Sequence, residues 1–194
     1  MNRARLFYVM GPSGAGKDSL LAYARAKLDH VSSAPSSPAL PVCFAHRYIT
    51  RPPSDGENHI ALSHAEFSAR HSLGCFALDW ESHDYRYGIG VEIDAWMHAG
   101  ANVVVNGSRA FLAQVVARYA ERLHLVEIRV DPEVRAQRLA KRGRESGDAL
   151  DKRVAHSVAW TPPEGIPLSV VDNDGALEAA GDSLLALLTS RAER

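Results

Sequence analysis

The chain has 194 residues, 46% hydrophobic and 23% charged, enough for one domain with a sizeable core. Its 22 Lys and Arg against 23 Asp and Glu leave a formal net charge of −1, which removes any global electrostatic case for nucleic acid or an anionic membrane. No apolar run approaches a membrane span, and the apolar part of the N-terminal stretch is too short for a signal peptide, so a cytoplasmic protein is expected.

The first predicted element is a buried strand over Arg5–Met10 ("RLFYVM"), a short apolar run that ends in a glycine loop. Apolar residues at helical spacing (Leu20, Leu21, Ala24 and Leu28) predict a helix over Lys17–Leu28. Ser32–Pro41 is Ser/Pro-rich and reads as an exposed loop. Further strands are expected over Val42–Ile49, Ala101–Gly107, Leu123–Val130 and Leu168–Asn173. Helices are expected over Val91–His98, Arg109–Arg122, Pro132–Arg142 and Gly175–Ser190. Strands alternating with helices imply a central parallel sheet covered on both faces, a three-layer α/β fold. No internal repeat or second core is visible, so residues 1–194 read as one domain. Cys43 and Cys75 have no CxxC partner and read as free thiols, and the histidines show no zinc-ligand spacing.

Between the first strand and helix lies "GPSGAGKDS", formed by Gly11, Pro12, Ser13, Gly14, Ala15, Gly16, Lys17, Asp18 and Ser19. Apart from its end it follows G-x-x-x-x-G-K-[ST], in which backbone N–H groups close around phosphate oxygens and the lysine reaches the outer phosphates. The strand before and the helix after supply the context such a loop needs, and the helix N-terminus adds partial positive charge. A nucleoside triphosphate with Mg²⁺ is the expected ligand. The position that normally offers a hydroxyl to the metal holds Asp18, and Ser19 comes one residue late.

With "TRPPSDGE" (Thr50–Glu57), "YRYG" (Tyr85–Gly88) and "RLAKRGRE" (Arg138–Glu145), this loop resembles the guanylate kinase family of P-loop NTPases in order and spacing. The strings "GPSGAGKDSL", "AHRYITR", "ENHIALS", "VVVNGSR" and "RGRE" are more similar still to the ribose 1,5-bisphosphate phosphokinases within that group. The resemblance covers nearly the whole chain. It implies a nucleoside monophosphate kinase-like fold, with an acceptor-binding region at about 44–100 and an Arg-rich lid at about 142–152. It also implies transfer of the ATP γ-phosphoryl group to ribose 1,5-bisphosphate, giving 5-phosphoribosyl 1-diphosphate in phosphonate metabolism. The implied partner is a small sugar phosphate, and neither nucleic acid nor a membrane.

The departures from guanylate kinases carry information of their own. The carboxylate that reads guanine corresponds to Leu78, and the second base-reading acid to Ser108. Removing paired buried acceptors from such a pocket costs roughly 10⁴-fold in discrimination, so guanine is not the expected acceptor. Asp79, one position from Leu78, is the one local rescue. The alternatives are a nucleotide kinase with altered base preference and a non-catalytic guanylate-kinase-like module. Retention of Lys17 and the lid arginines argues against the module.

A sugar bisphosphate calls for cations and hydroxyl acceptors. Arg47 and Arg51, four apart, would share one side if their strand continues; Arg47 could equally be a solvated strand edge. The resemblance makes Arg51 a phosphate-binding arginine and Tyr87 the tyrosine that meets the acceptor phosphate. Glu57 and His59 are candidates for sugar hydroxyls, with a solvated loop an equal reading of Glu57. Arg109 follows "NGS" at the C-terminal edge of the sheet, where such sites lie. Glycines punctuate the arginines after the fourth strand, which resembles a kinase lid, and Arg138, Arg142 and Arg144 are the catalytic candidates beside Lys17, with Arg153 behind them. Asn173 resembles the loop beside the adenine, or else forms a simple Asn-Asp-Gly turn. Finally, the aspartate expected at the end of the third strand is Asn106. One position has gained a carboxylate and the other has lost one. The expectation is an exchanged Mg²⁺ site in which Asp18 ligates directly or through water and Asn106 holds a shell water; the alternative is that Asp18 only caps its helix.

Overall fold

A computed structural model describes residues 4–32, 41–53, 58–82, 84–141 and 160–190. Five strands form one parallel sheet: β1 (Leu6–Met10), β2 (Val42–Phe44), β7 (Asn102–Asn106), β8 (Leu123–Arg129) and β9 (Leu168–Asp172), in the order β2-β7-β1-β8-β9. A second, four-stranded sheet in the order β4-β3-β6-β5 contains β3 (Arg47–Ile49), β4 (His59–Ala61), β5 (Phe76–Ser82) and β6 (Tyr85–Gly90). The helices are α1 (Lys17–Ser32), α2 (His64–Ser72), α3 (Glu92–His98), α4 (Leu112–Tyr119), α5 (Pro132–Lys141) and α6 (Leu177–Thr189).

The parallel sheet is buried on both faces, which is why β1 and the middle of β7 and β8 read as unbroken apolar runs. Alternation divides the core in two. Phe7, Val9, Val104, Val126 and Ile128 meet Leu20 and Ala24 of α1 and Leu184 and Leu188 of α6. Tyr8, Met10, Val103, Val105 and Leu125 face the other way, toward Ile93, Val115 and the Leu78, Trp80 and Ile89 side chains of the second sheet. Side chains buried this fully contribute about 1.5–3 kcal/mol each.

The expected strand over Val42–Ile49 is two strands. Val42–Phe44 pairs with β7, Ala45 still donates its N–H to Val104 O at 2.9 Å, and Arg47–Ile49 then pairs with β4 and β6. The Asn58 side chain donates to Ala45 O at 3.2 Å, fixing the point where the chain leaves one sheet for the other. Since β3 stops at Ile49, strand alternation does not carry Arg47 and Arg51 to a common side. The expected helix over Arg109–Arg122 is a 3₁₀ turn, Arg109–Phe111, followed by α4. The antiparallel pairs β3–β6 and β5–β6 were not anticipated. Cys43 and Cys75 are free thiols. Among the described residues, no helix is long and apolar enough to cross a membrane.

Candidate functional site

The phosphate loop leaves β1 after Met10 and enters α1 at Lys17. Gly14 and Gly16 have φ of 85° and 86°, a region L side chains rarely adopt, and a Cβ on Gly16 would lie 2.5 Å from Asn173 Nδ2. Backbone alone therefore lines this part of the loop, as a cradle for phosphate oxygens requires. The Lys17 ammonium folds over the loop, donating to Gly11 O at 2.7 Å and Pro12 O at 3.1 Å. Ser13 and Ser19 are exposed, Pro12 is half-buried and Ala15 is buried in the core.

Strand register places the loop between two polar residues on the neighbouring strands. Val9 is opposite Asn106 on β7, and Met10 is opposite Glu127 on β8. On the β7 side, Asp18 Oδ1 accepts from Asn106 Nδ2 at 2.7 Å and from Arg47 at 3.0 Å. These residues, with Arg25, Phe44 and Asn58, line a cleft of about 220 Å³. The Asn106 amide turns its N–H toward the Asp18 carboxylate, as the charge demands, which leaves Asn106 Oδ1 buried with no hydrogen-bond partner among the described residues. A carboxylate beside an unfilled amide oxygen is a hard-oxygen donor set that fits Mg²⁺ or a water in its shell. The two positions that the sequence treats as an exchanged pair are thus in direct contact.

On the β8 side, Glu127 is 6% exposed. Its Oε1 accepts from Arg109 at 2.6 Å and from Trp160 Nε1 at 3.1 Å, and its Oε2 accepts from Arg129 Nε at 3.1 Å. The turn that carries Arg109 starts from Ser108, whose Oγ accepts from Ala110 N at 3.4 Å. The Ser108 backbone exchanges two hydrogen bonds with the Tyr8 hydroxyl, at 2.9 and 3.0 Å. Burial pushes the Tyr8 pKa up to about 12, so the hydroxyl stays protonated and able to donate.

Arg138 donates to Asn173 O at 2.7 Å, and Asn173 Nδ2 donates to Ala15 O at 2.7 Å. Asn173, 3% exposed, therefore braces the phosphate loop. Tyr87 stacks on Trp80 with centroids 5.4 Å apart, and Trp80 in turn stacks on Phe111 of the Arg109 turn at 5.6 Å. The second sheet and the Arg109 turn are thereby packed together. His59 lies opposite Arg47 in the β3–β4 register, and Arg51 follows the end of β3, half-buried. Leu78 is 1% exposed in the core, while Asp79 faces His71 of α2 at 3.5 Å and so cannot restore a carboxylate on the Leu78 side. Glu57, Arg142, Arg144, Arg153 and the expected lid at 142–152 lie outside the described residues, as does nearly all of the Ser/Pro-rich segment.

Sequence reasoning missed Glu127 and Trp160. The available signal was a lone acid inside the apolar run "LHLVEIRV", a place where an ionised group needs built-in partners.

The chain is similar over 188 residues, at 54% identity and 97% coverage of both chains, to the ribose 1,5-bisphosphate phosphokinase PhnN of Burkholderia mallei (strain SAVP1). The protein of the same name from Chromobacterium violaceum is 52% identical over 184 residues, covering 94% of this chain and 92% of that one. The one from Psychromonas ingrahamii is 44% identical over 192 residues, with 98% and 93% covered. No family model matches the chain. Among solved structures, a guanylate kinase from Anaplasma phagocytophilum superposes with a TM-score of 0.63 at 15% identity, covering 97% of this chain and 86% of that one. A sugar kinase from Janibacter sp. HTCC2649 gives 0.51 at 15% identity, covering 95% and 94%. The structural likeness establishes the α/β P-loop kinase fold.

Proposed function

This chain belongs to the ribose 1,5-bisphosphate phosphokinase family, and we propose that it transfers the γ-phosphoryl group of ATP to the 1-phosphate of ribose 1,5-bisphosphate. An oxygen of that phosphate bonds to the γ-phosphorus, the bond from the γ-phosphorus to the β–γ bridging oxygen breaks, and ADP and 5-phosphoribosyl 1-diphosphate result. The observation that carries this reading is the near full-length likeness to proteins of that name. The burial of Leu78 where a guanine-reading acid would stand supports it independently.

In this reading residues 1–194 act as one kinase domain, and about 44–100 receives the acceptor. The loop and Lys17 hold the ATP phosphates. Arg51, Arg47 and Arg109 grip acceptor phosphates through the planar guanidinium fork, with His59, Tyr87 and Glu57 around the sugar. Arg138, with Arg142 and Arg144, stabilises charge on the transferred group. No strong general base is required, because a phosphate oxygen is already nucleophilic. Asp18 would hold Mg²⁺ directly or through water, with Asn106 Oδ1 on a shell water. There the ion would neutralise charge on the β- and γ-phosphates.

A substrate panel with ATP and Mg²⁺, read by phosphorus NMR, tests the assignment. Ribose 1,5-bisphosphate is consumed with 5-phosphoribosyl 1-diphosphate appearing, and GMP is at best a poor substrate. Efficient GMP phosphorylation without turnover of the sugar bisphosphate would overturn it.

A further inference from the structure

Glu127 is a carboxylate in the core, and burying one without partners costs several kcal/mol. Its partners are unequal. Arg129 is more than half exposed and holds Oε2, whereas the Arg109 side chain is only 13% exposed and holds Oε1 in the shortest of the three contacts. The Arg109 guanidinium also lies 5.9 Å from the centre of the Trp160 ring, and Trp160 donates to the same Oε1. Arg109 is thus fixed from two directions, while its Nε is buried with no hydrogen-bond partner among the described residues. An N–H of a buried guanidinium left without an acceptor is a donor waiting for one.

The place matters as much as the geometry. Glu127 is level with Met10, the last strand residue before the phosphate loop. Arg135, 6% exposed on α5, packs against the loop on the same side: a Cβ on Gly14 would lie 3.2 Å from its Cγ. Burial, and then the Arg109 charge, hold the Arg135 guanidinium below the usual arginine range.

We infer that Glu127 is a positioning residue that seats Arg109 so that its guanidinium takes a phosphate of the acceptor. Glu127 touches no substrate itself. The inference rests on the proposed reaction only in requiring a phosphorylated acceptor. It separates this carboxylate from one that merely stabilises the core, because the effect must pass through Arg109.

The test is a double-mutant cycle of E127Q, R109A and the double variant, with ribose 1,5-bisphosphate and ATP varied separately. E127Q raises the acceptor KM by roughly tenfold or more, as displaced positioning groups do, and leaves the ATP KM nearly unchanged. In the R109A background E127Q adds little further loss. An equal loss in both backgrounds, a parallel rise in both KM values, or unchanged kinetics in E127Q would overturn the inference. If E127Q does not fold, E127D, which keeps the charge but withdraws it by one methylene, carries the same cycle. A second readout is independent of the sugar: binding of inorganic phosphate by calorimetry with a non-hydrolysable ATP analogue on the loop. Should wild type fail on ribose 1,5-bisphosphate, the reaction reading falls, yet similar weakening of phosphate binding in E127Q and R109A still supports the role of Glu127. Phosphate binding in E127Q equal to wild type would sink it.

Discussion

On one side of the phosphate loop Asp18 holds Arg47 at 3.0 Å with its side chain 30% exposed; on the other, Glu127 holds Arg109 at 2.6 Å with its side chain 8% exposed. Each carboxylate also takes a neutral N–H, from Asn106 in one case and Trp160 in the other. The chemistry is the same and the solvent is not. Water screens a partly exposed pair and replaces either partner at little cost, so such a pair contributes about 0–1 kcal/mol and can be re-formed with another cation. A buried pair has no such substitute, and removing one partner strands the other. Asp18 is therefore suited to exchange partners during a catalytic cycle, whereas Glu127 is suited to hold one geometry throughout.

The largest expected effect follows directly. Glu127→Ala lowers unfolding free energy by about 3–5 kcal/mol, because it leaves Arg109 buried and unpaired. Asp18→Ala costs less, because the Asp18 side chain, 30% exposed, is already screened by water in the cleft. Urea unfolding of both variants measures the contrast, and equal losses would erase the distinction between the two sides.

The next prediction asks whether Asp18 does change partners. Asp18→Ser raises the Mg²⁺ requirement by removing the carboxylate, and Asn106→Asp alone crowds a second acid against Asp18 Oδ1, 2.7 Å from the present amide nitrogen. The double exchange recovers activity beyond the product of the single effects, with a coupling of about 0.5–3 kcal/mol as for other contacting groups. Magnesium titrations of all four proteins give the cycle. Strictly independent effects, or an Asp18→Ser protein with unchanged metal dependence, would leave Asp18 as a helix-cap acid and no more.

Much of this region was legible in the sequence because its signals are local. The loop string, the apolar strand before it and the helix after it fix one another, and β1, β7, β8 and β9 are apolar enough to be found by composition alone. The exchanged pair at Asp18 and Asn106 was visible as two departures from a known pattern, and the structure brings them into contact. The second sheet was less legible. Its three-residue strands β3 and β4 are half-exposed and carry no period long enough to read, and the hand-over at Ala45 is set by a hydrogen bond from Asn58, a residue beyond β3 in the chain. Glu127 could not be assigned partners because Arg109 and Trp160 reach it from distant segments, 18 and 33 positions away. The bond from Asn173 to Ala15, which spans 158 positions, was hidden for the same reason.

The smallest effect concerns a second buried polar residue on the strand of Glu127. His124 is 8% exposed on β8, with Nε2 at 2.9 Å from Ser169 Oγ, Nδ1 at 3.5 Å from Arg5, and its ring 5.2 Å from Phe7. Burial, and then the positive charge of Arg5, lower its pKa. The folded protein therefore favours the neutral ring, while the unfolded chain takes up a proton below about pH 6.5. Stability from this residue is fully present above about pH 6.5 and falls as the pH drops below it, until the folded form also protonates. His124→Gln removes the titrating group, and urea midpoints at about pH 7.5 and about pH 5.5 measure its contribution. The wild-type midpoint falls over that interval and the variant's changes less. Equal slopes in the two proteins would move the pH dependence to another group.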